Sequence, residues 1–466
     1  MKPISASHRT IALLAVVAIS SRGLSFSRGN LSDIGVLCFA FALAGLPLVL
    51  LLGEGWNGSS ETKGGFSTWQ VALPCAFVYV FATNAGRHLL VFSPADWRPT
   101  LRFITGGALV LALPALLLVS QRVRDRLSAH WQLALVTLPL VPALVMFLLV
   151  PVVSADPNID VFVFETQAAR SLLFGLNPYD VTFTNVYGGG DLYPNGIPDS
   201  YPYPPLSLLF ATVGYALGDV RWALIGCHIA AAVMLYATAR HRQVAATEAV
   251  AMAALFFYMP HAPFVNEQAW TDPSVALSLG LMSFLLARRQ PQAALWAAGF
   301  GLALKQTMVV LVPLLWGLWR RLNRTQLAII FAFSAATYGV FLLWDAPALW
   351  QDVVMFHTRT PFRPGAMTLS SYLVFFFHFS PLPAWMSLVG VVVGTATALY
   401  ALRGGDAKSS PCDSRRVWRF YAGLAFVLFL TLVLSKHAFM NYFYMMQFSL
   451  VTALIWSRVA DHEATI

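Results

Sequence analysis

Six of the chain's 21 acidic residues, Asp156, Asp160, Glu165, Asp180, Asp191 and Asp199, fall inside one polar stretch, 154–203. A positioned carboxylate takes protons from attacking hydroxyls. It also caps a helix, and both readings apply to Asp156 and Asp160. The oddly placed basic groups are Lys305, Lys436 and His437, which stand at the edges of apolar runs. Lys305 interrupts an apolar run of about 27 residues, where an ammonium is costly unless it has a function or an anionic partner. Snorkelling at a hairpin turn is the plainer alternative. His437 shares a helix face with Asn441 and either binds an anion or caps that helix. Arg359 and Arg363, in the stretch 345–366, are further cations, ranked lower because loops tolerate charge freely. Glu267 and Asp272 stand at opposite ends of a short polar turn. They either bind hydroxyls or a divalent ion, or simply end the flanking apolar segments.

These groups need a scaffold, and composition defines it. With 58% hydrophobic residues against 11% charged ones, the chain has too few polar side chains to coat a water-soluble surface. Apolar runs long enough to cross hydrocarbon recur from end to end. They lie near 10–20, 31–52, 68–86, 103–120, 131–153, 221–239, 246–260, 272–287, 292–304, 306–319, 326–344, 383–402, 418–435 and 439–457, about 14 in all. The expected fold is an all-α polytopic bundle of about 12 to 14 transmembrane helices with a large outer-face loop containing interfacial helices. Lys2 and Arg9 ahead of Ile11 to Ser20 imitate a secretory signal, but the segment reads as a first, retained helix.

The net charge of +9 does not point to nucleic acid, because the arginines sit in short loops between apolar runs. Placing Arg122 to Arg126, Arg240 to Arg242, Arg288 to Arg289, Arg320 to Arg324 and Arg415 to Arg419 in the cytoplasm satisfies the positive-inside rule on one condition. Pro204 to Gly218 must lie on the membrane rather than cross it, and Met367 to Phe379 likewise. Arg87, Arg98 and Arg102 then face outward and fit less well. Cys38, Cys75 and Cys227 lie in apolar segments and Cys412 in an Arg-rich loop, so neither disulfide nor zinc spacing appears. Within the polar stretch, Val161, Phe164, Ala168 and Leu172 share one face if Asp160 to Phe174 is helical. That places Asp160 in the first turn, where the helix dipole favours a carboxylate.

The order of motifs resembles the GT-C superfamily of membrane glycosyltransferases, which take sugar from a polyprenyl-phosphate carrier at the outer membrane face. Asp160 is followed by Phe162 and Phe164; then come Gly175, Asn177, Pro178, Tyr179 and Asp180; then Tyr203 to Leu206. Downstream, Glu267-Gln268 precedes one span, and the run Ala298 to Lys305 precedes another. The resemblance covers 131–457 and is nearest the bacterial polyprenyl-phosphate-mannose-dependent mannosyltransferases. The chain departs from that branch at Asn266-Glu267-Gln268 and Trp270-Thr271-Asp272, where the branch has Gly-Gln and an Asn. The four extra amino-terminal spans are not accounted for by it either.

The resemblance implies three regions: additional helices over 1–130, a catalytic module over 131–320 with its outer loop at 154–220, and helices over 321–466 completing the donor site. It implies Asp160 as the general base that takes a proton from the acceptor hydroxyl. Because a phosphate leaves readily, no second acid is needed, only cations, for which Lys305, His437 and Lys436 are the candidates. Acceptor or sugar contacts fall to Asp156, Glu165, Tyr179, Asp180, Tyr203, Glu267 and Gln268. Trp270, Trp350, Tyr201 and Tyr372 also suit stacking on sugar rings, with interfacial anchoring the commoner use. The expected partners are a polyprenyl-phosphate sugar donor, a lipid or glycan acceptor and membrane lipids, with no cofactor and no metal required. The competing reading is a multi-span transporter or flippase, which would place polar features at the membrane midplane and repeat them in both halves. Asp160 near Lys305 or His437, beside a groove open to lipid, favours the enzyme; a buried central cavity favours transport.

Overall fold

The computed structural model describes residues 7–27, 30–52, 68–87, 89–188, 198–404 and 410–464. Asp191, with the rest of the glycine-rich segment 189–197, lies outside the described residues. Among those described, the chain is helical throughout, and its extended pairing is one isolated antiparallel bridge between Asn30 and Ala366. Among the described residues, eight helical segments are long and apolar enough to cross a membrane: His8–Ser27, Asp33–Leu52, Ala95–Val119, Ala129–Val153, Arg221–His241, Arg324–Arg359, Met386–Arg403 and Ser414–Val433. Thr68–Asn84, Ala246–Phe257, Asp272–Ala287, Pro291–Leu304 and Met440–Glu463 fill the bundle between them. The protein is a helical membrane protein. Its exposed leucines, valines and phenylalanines, such as Leu343 at 92% and Phe103 at 80%, are what a lipid-facing surface requires.

The first and last helices lie side by side, joined by polar groups inside the bundle. Ser20 Oγ donates to Gln447 Oε1 at 2.7 Å, and Gln447 Nε2 donates to Ser21 Oγ at 2.7 Å. Nearer the start of His8–Ser27, Arg9 pairs with Asp461 at 2.8 Å, and Thr10 Oγ1 donates to the same carboxylate. The amino-terminal helices are thus part of the bundle and not an appendage.

All five arginine clusters gather at the end marked by Arg9 and Asp461. Arg458 reaches Glu248 at 2.9 Å and covers Trp69, while Arg124 donates to Gln70. Arg242 meets Glu463 and the Cys412 carbonyl, with Arg289 near that cysteine. Arg416 donates to the Gly317 carbonyl and feels Arg320. At the opposite end Arg87 is held by the Ser25 carbonyl at 2.6 Å, which explains how that arginine is accommodated there. This opposite end carries the long loop.

The loop-end elements follow from local sequence. Asp160–Leu173 is amphipathic, with Val161, Phe164 and Ala168 buried. It stops at Gly175, whose φ of +75° suits a residue without Cβ; Leu176 N–H returns to the Ser171 carbonyl and Gly175 N–H to that of Leu172. Pro205–Ala216 and Leu369–Phe377 are short helices of 12 and 9 residues. The long helix beginning at Arg324 breaks at Asp345 (φ −157°, ψ 91°), whose Oδ1 accepts the Ala348 N–H. Pro347 needs no donor partner in that first turn. The chain beyond Asp345 therefore turns away as a separate cap, running through a π-turn at Gln351–Met355.

Candidate functional site

Asp160 opens its helix at the loop end, partly exposed. Ile159, not Asp160, occupies the capping position, and Asp160 Oδ1 accepts the Val161 N–H at 2.9 Å and the Tyr187 hydroxyl at 3.3 Å. Tyr187 was not a candidate from sequence. It is presented by an Asn-x-Tyr turn in which Asn185 Oδ1 accepts its N–H at 2.9 Å; Asn177 does the same for Tyr179 at 3.1 Å. The repeated Asn-x-Tyr spacing was the available signal.

Beneath Asp160 lies an aromatic layer. Tyr179, Phe183 and Tyr201 are buried, with Tyr201 5.6 Å from Tyr179 and 5.5 Å from Tyr203, centre to centre. The Tyr179 hydroxyl donates to the Tyr203 carbonyl at 2.9 Å. At 2% exposure Tyr179 has no face for a sugar ring, unlike the half-buried Tyr203. Glu165 is also enclosed: Oε2 accepts the Tyr201 hydroxyl at 2.9 Å, and Oε1 is buried without a partner. Burial pushes its carboxyl up to about 8, against a smaller downward pull from the Tyr201 bond. Behind it is a crevice lined by Ser207, Phe210, Val220, Thr271 and Ser274 and too narrow for water. Glu165 thus belongs to the layer that supports the site rather than to its surface. Asp156 and Asp180 are exposed.

Tyr201 is gripped from its other side by Asp352 Oδ2, which accepts its N–H at 2.8 Å. Burial raises the Asp352 carboxyl to about 7, with Asp199 and Asp180 nearby adding to the rise. Two buried acids from separate elements therefore fix one tyrosine, and with it the strap 198–204.

The cations divide into committed and uncommitted groups. Lys305 Nζ contacts both oxygens of Asp272, at 2.7 and 2.8 Å, and sits 4.9 Å from the Tyr442 ring centre. It has the anionic partner that its depth demands. Lys436 Nζ donates to the carbonyls of His357 at 2.8 Å and Thr360 at 2.6 Å, and Arg359 donates to Gln351. By contrast, the Arg363 guanidinium makes no ion pair or hydrogen bond among the described residues, and His437 Nδ1 is buried with no partner. Burial lowers His437 to about 4, with Lys436, His357 and Arg363 adding repulsion, so its ring is neutral at pH 7. Burial also lowers His357 and Lys436.

These groups form one neighbourhood. Tyr187, bonded to Asp160, feels Arg363; Arg363 in turn acts on His437. Tyr203 feels Glu165, Asp160 and Asp272, the last being the partner of Lys305. Glu267 and Gln268 serve elsewhere. Glu267 is fully buried and accepts the N–H groups of Val91 at 2.7 Å and Phe92 at 2.8 Å, pinning 89–93 to the bundle; Gln268 is buried behind it. No protein-family model, curated protein or solved structure matches this chain.

The site must therefore be read from its own chemistry. Its parts are a reachable carboxylate with a tyrosine hydroxyl on it, an uncommitted guanidinium, and a neutral imidazole. Among the described residues, no three His, Cys, Asp or Glu side chains gather in a way that would hold a metal.

Proposed function

We propose that the chain is a membrane glycosyltransferase that moves a hexose, mannose foremost, from a polyprenyl-phosphate donor to a lipid or glycan acceptor. The observation that carries the proposal is the grouping of Asp160, Tyr187, Arg363 and His437 at one end of a lipid-embedded bundle. A membrane-anchored donor presents its phosphate at this depth, where a guanidinium is the preferred partner for a phosphate and an imidazole N–H adds a hydrogen bond. In the reaction, Asp160 takes the proton of the acceptor hydroxyl. The acceptor oxygen bonds to the anomeric carbon from the face opposite the phosphate, and the carbon–oxygen bond to the phosphate breaks. The lipid phosphate leaves with the electron pair, held by Arg363 and His437.

Lys305 and Lys436 hold structure in this reading, and the phosphate role passes to Arg363 and His437. The loop end faces the extracytoplasmic side of the cell membrane, the arginine end faces the cytoplasm, and about 14 crossings connect them.

The test is sugar transfer by the purified chain in proteoliposomes supplied with radiolabelled polyprenyl-phosphate mannose and extracted acceptor lipids. Asp160→Asn keeps the side chain's shape and removes the base, so turnover should fall about 10³-fold with stability changed by less than about 1 kcal/mol. Near-normal turnover in that variant would remove Asp160 from the mechanism.

A further inference from the structure

The amino-terminal helices reach the site through one short segment, 363–367. On one side of it, Leu31 N–H donates to the Gly365 carbonyl at 2.9 Å, and Asn30 bridges Ala366. On the other side, Arg363 N–H donates to the Lys436 carbonyl at 3.3 Å and Met367 N–H to that of Ala438 at 3.1 Å. The segment carrying the uncommitted guanidinium is therefore held between the turn that joins the first two helices and the segment that carries His437. Its own end is tied back by Ser371 Oγ, which donates to the Arg363 carbonyl at 3.1 Å.

The fit on the amino-terminal side is close. Gly35, in the first turn of Asp33–Leu52, faces Met367: a Cβ there would stand 2.6 Å from Met367 Cε and 3.0 Å from Ser27 Cβ. That helix cannot easily retreat, because Phe39 stacks on Phe443 at 4.7 Å and meets Phe429 edge-on at 5.4 Å. The flexible end of the Met367 side chain absorbs a lone methyl at 35, but Met367 is itself buried, so a residue as large as leucine presses on it and on the segment attached to it. Displacing a binding group by about 1 Å has large consequences where one cation does the binding.

We infer that the first helical pair is a positioning element for the anion site: Gly35 and the 30–31 turn set the height of Arg363 opposite His437. The inference rests on the reading of Arg363 as the donor-phosphate cation. It gives the amino-terminal helices a role in substrate binding, and Gly35 acts through Met367 without touching substrate.

The experiment compares equilibrium binding of long-chain polyprenyl monophosphate with that of the matching polyprenol, using the full chain in nanodiscs. The preference for phosphate over alcohol should fall on the order of 10-fold in Arg363→Gln and about as far in Gly35→Leu. Adding Met367→Ala to Gly35→Leu makes room for the new side chain and should restore the preference to within about 3-fold. Hydrogen exchange read by mass spectrometry should show faster exchange over 363–367 in Gly35→Leu and recovery in the double variant. If Gly35→Leu keeps the wild-type preference while Arg363→Gln loses it, the positioning role is overturned and the phosphate reading stands. A loss that Met367→Ala fails to restore overturns it as well. If Arg363→Gln binds phosphate as the wild type does, both the cation assignment and the positioning role fall.

Discussion

The two ends of the bundle treat charge differently. At the arginine end, the buried and half-buried cations are matched inside the protein: Arg9 by Asp461, Arg458 by Glu248, Arg242 by Glu463, and Arg416 and Arg419 by the carbonyls of Gly317 and Gly404. At the loop end, Lys305 and Lys436 are matched in the same manner, but the half-buried Arg363 guanidinium and the His437 Nδ1 are not. Matched groups hold helices together. Unmatched buried or half-buried groups are costly unless a substrate or a proton completes them. The difference separates residues that build the bundle from residues left available for chemistry.

The comparison breaks most readily at Asp461. It accepts from Arg9, Thr10 and the Ser7 N–H, and Arg9 is only 5% exposed. Asp461→Ala strands a buried guanidinium and should cost about 3–5 kcal/mol of stability, read as a lowered unfolding temperature in detergent. Transfer per folded molecule should be unchanged. Asp160→Asn should show the reverse pattern, and a stability loss there as large as that of Asp461→Ala would place both acids in one structural class.

Sequence displayed one end better than the other. The apolar runs marked nearly every long helix, because span length is imposed by the hydrocarbon and written in consecutive residues. The helix 160–173 was legible for the same reason, its apolar positions recurring on one face. Pairings between distant elements were not. Lys305 looked like an available cation because its partner Asp272 lies 33 residues away, at the start of a neighbouring helix. Glu267 reads in sequence as an acceptor contact, but in the fold the N–H groups of Val91 and Phe92 occupy its oxygens. Arg363 was ranked low because it lies in a loop. Its placement is set by the two segments beside it, and neither is near in sequence.

A smaller effect concerns protons. Glu165 rises to about 8 in the folded protein from about 4.3 in an unfolded chain, so between those values the folded state holds the proton more tightly. Its contribution to stability is complete below the lower value and is lost as pH rises toward the upper one. Asp352, raised to about 7, acts with the same sign over a lower window. Unfolding measured between pH 6 and 8 should therefore show stability falling by up to about 1.4 kcal/mol per pH unit for each of these groups still titrating. Glu165→Gln should flatten the curve above pH 7 and leave the Asp352 slope below it. A curve that keeps its full slope in that variant would show that Glu165 is charged in the folded state, which means an unseen cation completes it.

The smallest expected effect separates two neighbouring cations. Lys436 and Arg363 lie in segments joined backbone to backbone, yet Lys436 donates to three carbonyls, those of His357, Thr358 and Thr360, while Arg363 donates to none through its side chain. Lys436→Met leaves the methylene stem and removes those bonds, which should cost about 1–2 kcal/mol at so open a position. It also frees 357–360 to drift, and with it the start of the segment that carries Arg363, so donor affinity should weaken by only about 3-fold. Arg363→Gln should do the opposite, leaving unfolding unchanged and weakening donor binding more. If Lys436→Met lowers donor affinity as strongly as Arg363→Gln while unfolding stays put, the lysine is the phosphate ligand. The carbonyl contacts would then be only its resting place, and the division between matched and unmatched cations at this end would have to be redrawn around Lys436.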